Sequence, residues 1–105
     1  MYEENQSFVP ESFVALYVKP GQYKTSLPKA EVMQRYELCE DLANMLQDPI
    51  SAQQFQLGIT EDDALKTCWQ GLLVQPDLVQ PAEAFWVVCR LAELLSWPIP
   101  ALAWE

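Results

Sequence analysis

The stretch Pro28–Gln47, PKAEVMQRYELCEDLANMLQ, decides the fold. Wound at about 100° per residue, Val32, Tyr36, Cys39, Leu42, Ala43 and Leu46 share one broad face, and Leu38 and Met45 widen it. Glu37, Glu40, Asp41 and Asn44 take the opposite side. Arg35 falls inside the apolar arc, with Glu31 one turn earlier in the favourable i,i+4 order. The spacing predicts an amphipathic helix from Pro28 to about Gln47.

Working outward, the same period recurs on both sides. Upstream, residues 1–9 are read as a loose segment. Pro10-Glu-Ser-Phe-Val-Ala-Leu-Tyr17 then places Phe13, Leu16 and Tyr17 at helical spacing behind a first-turn proline. Lys19-Pro-Gly21 ends that short helix, and residues 19–27 are expected to form a loop. Downstream, Pro49 to Leu57 reads as a separate short helix stopped by Gly58. Thr60 is a natural N-cap, and Glu61, Asp62 and Asp63 suit the positive end of a helix dipole. Ala64, Leu65, Cys68, Trp69, Leu72 and Leu73 form the apolar face of that helix. Pro81 to Trp97 is the last helix, apolar over more than half its circumference, with Glu83, Trp86, Arg90 and Glu93 as a narrow polar stripe. Two prolines, Pro98 and Pro100, then force an extended tail over 98–105. The expected fold is all-α: four to five helices in a compact bundle over 10–97, the last helix near its centre.

Composition bounds the chemistry. The 105 residues carry 15 acidic and 6 basic side chains, a net charge of −9. Such a surface repels phosphate-rich partners, because nucleic-acid affinity comes largely from Lys and Arg displacing counterions. Anionic membrane is disfavoured for the same reason, and a charged partner is expected to be basic. With no histidine, the commonest general base and zinc ligand are missing. Cys39, Cys68 and Cys89 are far apart and embedded in apolar helical patterns, so they read as buried reduced thiols rather than a metal or disulfide set. The N-terminus lacks the pattern of a signal peptide and no apolar run is long enough to span a bilayer, which points to the cytoplasm. No cofactor and no metal site are expected.

Three motifs invite sharper readings. Lys19–Pro28, KPGQYKTSLP, ends a glycine-containing loop in Lys24-Thr25, as a phosphate-gripping loop would. That motif needs glycines where Val18 and Tyr23 stand, and it follows a buried strand within a βαβ unit. A proline-glycine turn between helices accounts for it. Gln53 to Leu65 has the outline of a helix-turn-helix, but the residues that would enter the major groove are Glu61, Asp62 and Asp63. Those acids lack the alternation of a calcium loop, and capping explains them.

Two features point to a binding surface. Trp86 stands beside Arg90 on the last helix, flanked by Glu83 and Glu93; a local cation–π pair explains this, but tryptophan and arginine are also the residues in which interface hot spots are enriched. In the tail, Trp97, Ile99, Leu102 and Trp104 project from a proline-stiffened segment that either packs back or awaits a groove. The acidic face of Glu37, Glu40 and Asp41 is a second candidate, for a basic partner; a solvated helix face is the plainer account.

Pro10–Tyr17, Arg35–Leu42 (RYELCEDL), Gly58–Asp63 (GITEDD) and Arg90–Leu95 (RLAELL) together resemble segments of a group of small, uncharacterised proteobacterial proteins that often carry the label "ATPase with chaperone activity". The resemblance covers most of 10–97 and rests on helical segments, with no functional residues to carry over. It implies a nucleotide-linked chaperone or ATPase component. The residues themselves favour a non-enzymatic protein–protein interaction module or adaptor. An acidic mimic that blocks a nucleic-acid-binding protein is a further alternative, and the wide apolar face of the last helix also suits a homodimer.

Overall fold

In the computed structural model, which describes residues 9–22 and 24–100, the Pro28–Gln47 periodicity becomes part of one long helix, α2, Lys29–Leu57. The expected break before Pro49 does not occur. Proline removes one amide donor, so the carbonyl of Met45 loses its partner one turn back. Pro49 and Met45 both lie on the exposed side of α2, so that carbonyl is not forced into the apolar core. Ile50, next in sequence, is buried and carries the apolar face onward. Met45 does not widen that face as expected: it is 71 % exposed, on the same solvent side as Pro49.

The described elements before α2 are α1, Glu11–Val14, and a 3₁₀ turn, Ala15–Tyr17; after it come α3, Glu61–Leu73, and α4, Pro81–Leu95. The chain is all-α: no strand occurs among the described residues, only an isolated antiparallel bridge between Val18 and Thr25. It divides into two compact units, Met1–Leu38 and Cys39–Glu105, and α2 contributes to both.

In the first unit Phe13 is wholly buried, its ring 5.4 Å from that of Tyr17 and 5.6 Å, edge-on, from that of Tyr36. Such tilted and edge-to-face contacts suit the aromatic quadrupole. The loop after Tyr17 folds on itself. The Gln22 amide donates to the Lys19 carbonyl at 3.0 Å, and Gly21 has φ +79°, the geometry of a turn with proline second and glycine third. The Ser26 amide donates to the Tyr17 carbonyl at 2.6 Å and closes the base. The quasi-phosphate motif is therefore a bridged helix-to-helix turn, as its glycine pattern implied.

In the second unit Gly58, at φ +64°, terminates α2, and the Gln54 side-chain amide donates to the Ile59 carbonyl at 2.7 Å. Thr60 caps α3 as expected, its hydroxyl oxygen accepting from the Asp63 amide at 3.0 Å. Ala64, Leu65, Cys68 and Leu72 of α3 are buried and Trp69 and Leu73 half-buried. Helix α3 packs on α4, whose buried side chains are Glu83, Ala84, Val87, Val88, Leu91 and Ala92. Helix α4 stops at Leu95, two residues before the expected Trp97. Ser96 turns left-handed at φ 59°, its amide donates to the Glu93 carbonyl, and the Trp97 amide reaches the Ala92 carbonyl at 2.9 Å. This paired closure is usually built on glycine. Among the described residues no helix is long and apolar enough to cross a membrane.

Candidate interaction surface

Helix α4 positions the stripe read from the sequence, but not all of it faces solvent. Glu83 is 1 % exposed, against the expectation of a surface residue. It stands three residues after Gln80, at the third position of α4, and its carboxylate accepts the Gln80 amide at 2.8 Å. That is the glutamate half of a capping box, and it satisfies an amide the helix start would otherwise orphan. The pattern Gln80-Pro-Ala-Glu83 was legible in advance, with glutamine where serine or threonine usually stands. Trp86 is half-buried.

Arg90 is committed to internal partners. Its Nε donates to Glu40 Oε1 at 3.0 Å and Oε2 at 3.2 Å, and its Nη2 to Glu40 Oε2 at 3.0 Å. Its Nη1 donates to Glu93 Oε1 at 3.0 Å, one turn along α4. Hydrogen bonding to Glu40 first, and then to Glu93, holds the guanidinium above its usual proton affinity despite opposing burial. The planar fork matches a carboxylate in both direction and spacing. Arg90, expected from the sequence to pair with Trp86, thus also clamps α2 to α4 through Glu40. Glu40 leaves the acidic face for the same reason: its side chain is 22 % exposed and faces Arg90. Glu37 and Asp41 are exposed, as is Glu93.

In the tail, Trp97 is half-buried, Ile99 is exposed and Pro100 is buried. Leu102 and Trp104 lie outside the described residues.

Among the described residues, the largest apolar exposure falls outside the stripe and tail expected from the sequence. Phe55 is 84 % exposed and Leu57 61 %, both in the last turn of α2. The signal was available: Gln53-Gln-Phe-Gln-Leu57 sets two large apolar side chains among glutamines, off the face that continues through Ile50. Gly58 and the Thr60 cap fix the corner that follows, and Glu61, Asp62 and Asp63 begin α3 immediately beyond it. Val74, at the far end of α3, is exposed as well.

The thiols are poor nucleophiles. Burial pushes Cys68 up to about 11. Burial, aided by the charge of Glu93, does the same to Cys89, also to about 11. Cys39 is wholly buried. Among the described residues no group of three or more Cys, Asp or Glu side chains is placed to hold a metal ion. Compared with protein-family models, with curated proteins and with solved structures, the chain finds no match in any of the three.

Proposed function

We propose that this chain is a non-enzymatic protein–protein interaction module whose contact surface centres on the α2–α3 corner, with Phe55 and Leu57 as its apolar anchors. The observation that carries this reading is the 84 % exposure of Phe55 at a corner whose neighbours are rigidly capped. Covering a fully exposed large apolar side chain is worth about 1.5–3 kcal/mol, so at 84 % and 61 % exposure the pair offers roughly 2–4 kcal/mol to a partner that buries it. Glu61, Asp62 and Asp63 supply a polar, acidic rim beside that apolar centre, the usual anatomy of an interface. The matching partner presents an apolar pocket edged by lysine or arginine, and the chain's −9 charge steers it in. Ile99 and the exposed Glu37 and Asp41 are secondary contact candidates; Arg90 is not, because its guanidinium already serves Glu40 and Glu93.

The test is capture of the tagged protein at native expression level from its own cells, with partners quantified by mass spectrometry. A Phe55→Asp/Leu57→Asp variant should lose a stoichiometric partner that the wild type and a Trp86→Ala variant retain. Equal capture by the Asp variant would move the surface elsewhere.

A further inference from the structure

The first unit contains a cleft of about 540 Å³, within the usual range for small-molecule sites. Among the described residues, Val9, Val14 and Val32 give it apolar walls, and Lys24, Thr25 and Lys29 line it as well. The fold brings these together because the bridge between Val18 and Thr25 returns the loop beside α1, and Lys29 and Val32 lie in the first turn of α2.

The charge pattern is the unusual feature. Lysine and arginine supply only six positive charges against 15 negative ones, yet two of the six line this cleft, and among the described residues no carboxylate does. Among the described residues neither ammonium group is held by an ion pair: the described pairs join Arg90 to Glu40 and Glu93. Arg90 shows how this chain satisfies a cation when it serves structure, and Lys24 and Lys29 are left without that.

We propose that the cleft binds a small amphipathic carboxylate, its alkyl chain against Val9, Val14 and Val32 and its carboxylate between Lys24 and Lys29. Apolar walls select for the chain, and paired cations at the rim select for the head group. The overall charge of −9 penalises a multiply charged ligand, which favours a carboxylate over a phosphate ester.

The experiment is a titration of the ¹⁵N-labelled full chain with decanoate below its micelle concentration, followed by amide chemical shifts. Hexanoate, acetate and decanol serve as comparisons. Decanoate should shift the amides of Val14, Lys24, Thr25, Lys29 and Val32 selectively. Affinity should rise by up to about fourfold per methylene from hexanoate to decanoate. Acetate, which lacks the chain, and decanol, which lacks the charge, should bind more weakly. A Lys24→Gln/Lys29→Gln variant, altered only at exposed side chains, should fold normally and bind decanoate about fivefold more weakly while its affinity for decanol stays the same. Shifts scattered over the chain, no shifts at all, or equal decanoate affinity in the glutamine variant would each overturn the proposal.

Discussion

Breaking the Arg90–Glu40 clamp should cost stability, and the amount follows from its geometry. Three nitrogen–oxygen contacts of 3.0–3.2 Å join the guanidinium to one carboxylate. A hydrogen bond to a charged group contributes about 1.5–3 kcal/mol when shielded, whereas an exposed ion pair contributes only about 0.2–1. Here the side chains are 34 % and 22 % exposed, so solvent screening removes a good part of the larger figure. A coupling energy of about 1–1.5 kcal/mol is expected between the two residues. The assay is a double-mutant cycle of Arg90→Met and Glu40→Gln, read from urea unfolding by tryptophan fluorescence. For a slope near 1.5 kcal/mol per M, the coupling corresponds to a midpoint difference of about 0.7–1 M. Because the pair is only partly exposed, 0.5 M salt should reduce the coupling without abolishing it. A coupling below about 0.3 kcal/mol would refute the clamp and return Arg90 to the surface as a contact residue.

Three further outcomes follow from local structure. Ser96→Gly should stabilise the protein by about 0.5–1 kcal/mol in the same urea assay, because Ser96 holds a left-handed conformation that glycine adopts without strain. Pro49→Ala should stabilise by about 1–3 kcal/mol, since it restores the amide donor missing from the middle of α2; a neutral or negative result would mean that proline stiffens the unfolded chain enough to compensate. Cys68 is raised from about 9 to about 11 in the folded state, so the unfolded thiol ionises first as pH climbs. The resulting stability is fully present below pH 9 and is lost between pH 9 and 11, amounting to about 2–3 kcal/mol. A Cys68→Ala variant, less stable overall, should show a correspondingly shallower decline over that window, measured by thermal unfolding.

The helices were legible where residue type and period agreed. The Thr60 cap with its three acids, the buried face of α3 and the turn at Gly21 follow from rules of a few residues' range. What the sequence obscured depended on long-range placement. Pro49 reads as a stop, but the buried Ile50 beyond it keeps α2 continuous. Arg90 and Glu40 are 50 residues apart, and nothing in either local pattern says that one will neutralise the other. Glu40 therefore read as part of a solvated acidic face, and Arg90 as a local partner of Trp86. Glu83 looked exposed by helical position, and its capping role at the start of α4 places it inside. Conversely, Phe55 was passed over because an isolated phenylalanine among glutamines belongs to no periodic face, which is also why α2 leaves it outside.

That exposure is the basis of the functional reading, and photo-crosslinking in the protein's own cells tests it most directly. A benzophenone amino acid would replace Phe55 in one strain and Gln70, an exposed polar position on α3 outside the proposed contact set, in another. The account predicts a discrete, heavier product from position 55 that contains a second protein, with none from position 70. No product from position 55, or the same diffuse labelling from both positions, would contradict the claim that the α2–α3 corner is a docking surface.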